Sequence, residues 1–197
     1  MSVQRVVDIA ASAGGLVVLA PVMAASAVAI KMDSPGPVFF RQERVGRHGT
    51  TFRIHKFRTM RTDVAGANVS TTGDARITRV GRILRKTKLD ELPQLIDVLQ
   101  GHMALVGPRP EVPEFVEKWE PARRSVILSV RPGITDPASI ALRNEADELA
   151  GAVDPHRYYV EVLLPRKTAM YVDYVRTRSV VGDLSLVVKT IRAVAAG

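Results

Sequence analysis

Two acids stand side by side in Leu89-Asp90-Glu91-Leu92-Pro93-Gln94-Leu95. Proline is tolerated in the first turn of a helix, so Pro93 predicts a helix that begins at or just before Asp90. Two readings of the pair follow. In one, Asp90 is an N-cap and Glu91 a first-turn acid facing the helix dipole. In the other, the positive helix end keeps the carboxylates ionised for chemistry. Adjacent helical residues diverge by about 100°, so the two acids do different work. One could attack phosphorus while the other holds a hard divalent cation.

The surrounding cations suit a phosphate substrate. Between Arg41 and Arg61 lie seven Lys or Arg residues and a single acid, Glu43. Arg76, Arg79, Arg82 and Arg85 recur at every third position, which predicts a basic stripe on a helix over Ile77 to Lys88. Each of these arginines alone reads as a solvated face; together they concentrate a field in which planar guanidinium groups can grip two phosphate oxygens at once. Gly107-Pro108-Arg109-Pro110 and Arg131-Pro132-Gly133-Ile134-Thr135 each set an arginine beside proline. Proline fixes its own φ and restricts its predecessor, so such an arginine either stabilises a turn or is placed for a phosphate with little entropy left to lose. The four histidines have no ligand spacing, there is no cysteine, and neither a Walker loop nor a glycine-rich dinucleotide fingerprint occurs.

The elements that must hold these groups are mostly helical. The chain has 197 residues, 46% hydrophobic and 24% charged, with a formal charge of +8. That length fits one domain with a sizeable core, and that charge asks for an anionic partner: nucleic acid, lipid headgroups or a phosphorylated substrate. Nucleic acid finds no binding motif here and few aromatics to stack bases, although a membrane-tethered basic nucleic-acid-binding protein stays as the alternative. Ile9 to Ile30 carries no charge over 22 residues. A helix of that length is about 33 Å long, against roughly 30 Å of bilayer hydrocarbon. A cleaved signal peptide, a spanning helix and a re-entrant helix broken at Pro21 all fit this pattern.

Beyond it, Val38-Phe39-Phe40 and Phe52-Arg53-Ile54 read as strands on either side of a Gly46 to Gly49 turn, and 62–75 as a loop. Leu92, Leu95, Ile96 and Leu99 predict a buried helix stripe closed by Gly101. Helices are expected over Pro113–Ser129, with Phe115 and Trp119 on one face, over Pro155–Val175 and over Gly182–Ala195, with a turn at Pro132-Gly133. The fold class expected is α+β, mostly helical, with a little β structure.

Five motifs in order carry a family resemblance. They are Ser34-Pro35-Gly36-Pro37-Val38-Phe39-Phe40-Arg41-Gln42-Glu43-Arg44-Val45-Gly46, Lys56-Phe57-Arg58-Thr59-Met60, the Leu89 to Leu95 stretch, Val106-Gly107-Pro108-Arg109-Pro110 and Arg131-Pro132-Gly133-Ile134-Thr135. Over nearly the whole chain they resemble the monotopic polyprenyl-phosphate phosphoglycosyl transferases among the bacterial sugar transferases, in their minimal form. The resemblance implies a re-entrant membrane segment over 1–33 that turns back at Pro21, and a cytoplasmic catalytic domain with interfacial helices over 34–197. It implies Asp90 as covalent nucleophile, Glu91 as a Mg²⁺ ligand with Asp183 a further one, and phosphate-binding roles for Lys56, Arg58, Arg85, Arg109 and Arg131. The substrates it implies are a nucleotide-diphosphate sugar, taken as a UDP-sugar, and polyprenyl phosphate, at the inner membrane beside lipid headgroups, with no nucleic acid. Ala20 replaces the serine that members usually carry before the proline. Asp136-Pro137-Ala138-Ser139-Ile140 replaces the glycine and aromatic residue that many have after the Arg-Pro-Gly-Ile-Thr motif. The first removes a hydroxyl that could bond freed backbone, and the second leaves the sugar open.

Overall fold

A computed structural model describes residues 2–63, 71 and 73–195. The chain opens with helix α1 (Val3–Asp33), capped by the Ser2 hydroxyl, which accepts from the Arg5 N–H. Then come strands β1 (Phe39–Phe40), β2 (Glu43–Val45), β3 (Thr51–Arg53) and β4 (Lys56–Phe57). Helices α2 (Arg79–Lys86) and α3 (Gln94–Leu99) follow, then β5 (Ala104–Val106), α4 (Pro113–Glu117), α5 (Pro121–Ile127) and β6 (Gly133–Thr135). The chain ends in α6 (Pro137–Ala141), α7 (Glu145–Ala150), α8 (Pro155–Tyr158), α9 (Leu164–Thr177) and α10 (Val180–Ala195). The mostly helical expectation holds. The 62–75 loop falls largely outside the described residues.

The strands form three separate pairs: β1 with β4 and β2 with β3, both antiparallel, and β5 with β6, parallel. The hairpin across Gly46–Gly49 is therefore real, but Glu43-Arg44-Val45 supplies its first strand. Val38–Phe40 instead contributes the outer pair with β4. The charged Glu43 and Arg44 concealed that strand: Glu43 is exposed, Arg44 is half-buried and only Val45 is buried. Gly133 begins β6 and does not close a turn. A Cβ there would lie 2.0 Å from the Gly107 nitrogen, so the two arginine-bearing motifs pack glycine against glycine and exchange Gly133 N–H to Pro108 O and Gly107 N–H to Thr135 O.

The main core gathers Phe115, Trp119, Ile127, Leu163, Leu164 and Tyr171. Pro121 ends α4 and starts α5, so 113–129 is two helices. The segment from Pro155 to Thr177 is one path with a widened π turn at Tyr159–Leu163. Pro165 lacks an N–H, and the helix absorbs that loss in the wider turn just before it.

Helix α1 lies along the domain. Asp8, Ser12, Gly15, Met23, Ser26 and Ile30 recur on its inner face, mainly against α3, while Val17, Val18, Val28 and Met32 are exposed. It is long and apolar enough to cross a membrane, and 11% of its apolar window is buried. The break expected at Pro21 does not occur: the helix runs through it. One N–H is lost to the Val17 carbonyl there, and the remaining ladder, with the packing on α3, carries the helix on. Both ends of α1 are tied to the same domain. Arg5 donates to the Leu99 and Met103 carbonyls and Asp8 accepts from the Leu105 N–H, while at the far end Asp33 accepts from the Val80 N–H.

The stripe expected on α3 is also revised. Gln94, Leu95, Asp97 and Val98 are its buried face, and Leu99 is 37% exposed. α3 packs on α1 and β5, and of the polar groups on its buried side Asp97 bonds to His55.

Candidate active site

The acidic pair sits in a 3₁₀ turn, Leu89–Glu91, which Lys88 enters with a left-handed φ of 56°. Pro93, not Asp90, is the cap of α3. The capping reading of Asp90 therefore fails, because neither oxygen takes a backbone N–H. Oδ2 receives Lys56 Nζ at 2.8 Å, and Oδ1, shut off from water, has no partner among the described residues. Asp90 as a whole is 2% exposed. An orphaned carboxylate oxygen is costly to bury, which marks a place where a ligand or reacting atom completes the structure. One turn on, Gln94 Nε2 is buried without a partner as well.

Glu91 is clamped. Arg109 donates Nη2 to Oε1 at 2.6 Å and Nη1 to Oε2 at 3.2 Å, and Lys56 stands 3.5 Å from Oε1. Burial alone would raise the Glu91 carboxyl, but Arg109, Lys56 and Lys88 outweigh it and hold the group well below the usual carboxylate range. Arg109 in turn is pushed up, mainly by Glu91. The rigid proline-flanked arginine is thus neither a plain turn stabiliser nor a free phosphate ligand. It carries the acidic pair on one side and lines a cavity on the other.

Lys56 is positioned by its neighbours. β4 pairs with β1, and the preceding His55 is fixed to Asp97, whose Oδ2 accepts the His55 N–H while Nδ1 lies 2.7 Å from Oδ1. Asp97 has no solvent exposure. Sequence reading missed this support because Asp97 falls nearly opposite the expected Leu92, Leu95, Ile96 and Leu99 stripe, on a face that looked solvated.

The other expected phosphate ligands divide. Arg85 lines the same cavity as Arg109, with Nη1 3.7 Å from Met60 Sδ. Arg58 is 2% exposed and donates to the Ser34 and Pro35 carbonyls, clasping the exit of α1. Burial and these two carbonyl bonds make it a clasp, with Nε left without a partner among the described residues. Arg131 Nε donates to the Gly101 carbonyl and stands beside Arg5, Arg47 and Asp8, fastening the end of α3. The arginine stripe is split: Arg76 pairs with Asp74, Arg79 and Arg82 face solvent, and Arg85 turns inward.

Asp183 does not join the acidic pair. It accepts from Gln4 and from the Tyr174 hydroxyl, beside a cavity of about 420 Å³ lined by α9 and α10. Among the described residues no group of three His, Asp or Glu side chains gathers to hold a metal. Asp90 and Glu91 still suit Mg²⁺, which is usually bound by one or two carboxylates together with substrate phosphates. The orphaned Asp90 Oδ1 is the observation that favours this fit.

A second charged group lies beyond Arg109. Glu111, Lys167 and Tyr159 are all buried and joined: Tyr159 donates to Glu111 at 2.6 Å and Lys167 Nζ is 3.1 Å from the Tyr159 oxygen. These positions are scattered along the chain, so no spacing signalled them.

The model of the family described as bacterial sugar transferase matches residues 1–197. A UDP-N-acetylgalactosamine-undecaprenyl-phosphate N-acetylgalactosaminephosphotransferase of Aeromonas hydrophila is 37% identical over 99% of this chain and 44% of its own length. A UDP-glucose:undecaprenyl-phosphate glucose-1-phosphate transferase of Caulobacter vibrioides is 37% identical over 95% of this chain and 68% of its own. The exopolysaccharide production protein PSS of Rhizobium leguminosarum bv. phaseoli is 40% identical over 80% and 84%. The chain thus spans less than half of the first relative and about two thirds of the second. With a match along its entire length, the chain belongs to the bacterial sugar transferase family.

Proposed function

We propose that this chain is a phosphotransferase that moves a phosphosugar from a UDP-sugar to a polyprenyl phosphate, with Asp90 as the covalent nucleophile. The observation that carries the proposal is Asp90 Oδ1: buried, without a partner among the described residues, and backed by Lys56 on its sister oxygen. In the first displacement Oδ1 forms a bond to the sugar-bearing phosphorus, the bond from that phosphorus to the bridging oxygen breaks, and UMP leaves with the electron pair. In the second, a phosphate oxygen of the polyprenyl carrier attacks the same phosphorus and Asp90 departs as a carboxylate. Lys56 steadies the Asp90 charge in both steps. Arg109 keeps Glu91 ionised, and with Arg85 it offers guanidinium charge to the phosphates. Glu91 and Asp90 would hold Mg²⁺, which would supply positive charge to the diphosphate.

The membrane arrangement follows from where α1 is tied. Its ends bond to one domain through Arg5 and Asp8 and through Asp33, so a domain on one side of a bilayer keeps both ends there. α1 then dips into one leaflet with Val17, Val18 and Met32 toward lipid. α10 adds an exposed stripe of Val181, Leu184, Val188 and Ile191 suited to an interface. A UDP-sugar substrate places the domain on the cytoplasmic face of the inner membrane, at the start of glycoconjugate assembly.

The test is a panel of nucleotide sugars with polyprenyl phosphate and Mg²⁺, scored by UMP release. Without the lipid, a labelled sugar phosphate should remain attached to the wild-type protein and be absent from Asp90→Asn. Label on another residue, or an active asparagine variant, ends the assignment.

A further inference from the structure

A cavity of about 200 Å³ opens beyond the Arg109 clamp, walled by Arg44, Arg109, Glu111, Glu145, Tyr159 and Lys167. It is too small for a whole nucleotide sugar, since sites for drug-sized ligands run from about 300 Å³ upward, but one sugar ring is a fitting occupant. Arg109 joins it directly to Glu91, and Arg85 reaches it from α2, which packs on the acidic turn. Those two arginines stand at the phosphate end. The far end holds Lys167 Nζ within 3.4 Å of Glu111 and 3.3 Å of Glu145, and Arg44 Nη1 3.8 Å from Glu111.

Two further details point to a ligand. Arg44 Nε is shut off from solvent with no partner among the described residues, a buried donor waiting for an acceptor. Glu145 has a side chain 27% exposed and, among the described residues, its carboxylate pairs with Lys167 alone, so it keeps lone pairs for a hydroxyl donor. Past the phosphate end the wall charges cancel, with Arg44 and Lys167 against Glu111 and Glu145. Burial works to raise Glu111, yet Lys167, Arg44 and the Tyr159 hydroxyl bring it down, while burial and Glu111 push Tyr159 up. Glu111 is therefore a fixed acceptor and Tyr159 a fixed donor at neutral pH.

We infer that this cavity is the sugar subsite of the enzyme, built for a hexopyranosyl ring whose hydroxyls bond to Glu145 and Arg44. The inference rests on the reaction proposed above. The nucleoside lies outside this cavity, on the other side of the two arginines.

Binding to an Asp90→Asn protein, which cannot turn over, separates sugar from nucleotide contacts. Adding Glu145→Ala should weaken a UDP-hexose about tenfold, the loss of one hydrogen bond to a charged group, and leave UDP itself within twofold. Glu145→Gln, which keeps one acceptor, should recover part of the loss. Equal weakening of UDP and UDP-hexose, or no weakening of either, overturns the subsite while the reaction stands. Absence of UMP release from every nucleotide sugar by the wild type overturns the reaction itself.

Discussion

Arg109→Leu tests the clamp on Glu91. The substitution removes contacts of 2.6 and 3.2 Å to the two carboxylate oxygens and leaves Glu91 with Lys56 at 3.5 Å. Breaking a buried ion pair from one side costs about 3–5 kcal/mol, because the other charge stays buried without its partner. Here Arg109 is 29% exposed at its side chain against 11% for Glu91, and Lys56 remains. The lower end applies, about 3 kcal/mol at pH 7. For a chain of this size that lowers Tm by about 6–12 °C.

The pH dependence has a definite sign. In the wild type the folded Glu91 carboxyl is depressed, so its contribution is fully present above the unfolded value of about 4.3 and is lost only as pH falls through the folded one. In the variant burial prevails and the carboxyl rises above its unfolded value, so protonation relieves the strain as pH falls. The gap in Tm between the two proteins should therefore be widest at pH 7–8 and narrow toward pH 5. Melting both in lipid nanodiscs across that range gives the curve. A gap under about 2 °C at pH 7, or one that does not change with pH, would refute the assignment of Arg109 as the partner that keeps Glu91 ionised.

Three further outcomes are expected. Glu91→Gln should lose most turnover, with part restored at high Mg²⁺ in a metal titration; a defect indifferent to the metal would remove Glu91 from any metal role. Arg58→Leu strips the Ser34 and Pro35 carbonyls of their donors at about 1–3 kcal/mol for each buried group left unpaired, so Tm should fall clearly in the same nanodisc melts. An unchanged Tm would return Arg58 to the pool of phosphate ligands. Since the chain has no cysteine, single cysteines placed at Ser2 and Ser34 can be labelled cleanly in sealed vesicles. Both should react from the cytoplasmic side, and labelling from opposite sides would mean a spanning helix. Pro21→Leu should raise the helix's share of such spanning orientation by restoring the lost backbone bond.

The sequence by itself determined the chemistry's vocabulary. The acidic pair, Lys56, Arg85 and Arg109 were legible because motif order and residue type carry them, and the long uncharged run identified α1. The helical bulk was legible too, from periodicity. What tertiary structure decided was which side chain faces which. Asp90 looked like a helix cap because Pro93 follows it, yet the left-handed turn at Lys88 carries the pair into a 3₁₀ turn and frees Asp90 from capping. Arg58 and Arg131 share motif status with Arg109, but only packing distinguishes a guanidinium that donates to backbone carbonyls from one that meets a carboxylate. Pro21 promised a break, and a helix anchored along one side of a domain ran through it. The group formed by Arg44, Glu111, Glu145, Tyr159 and Lys167 left no trace in spacing, because long-range contacts assemble it from four segments, Tyr159 and Lys167 sharing one. Local rules record what each residue prefers near its neighbours in sequence. Burial and ion pairing across the fold then decide which of those preferences survive.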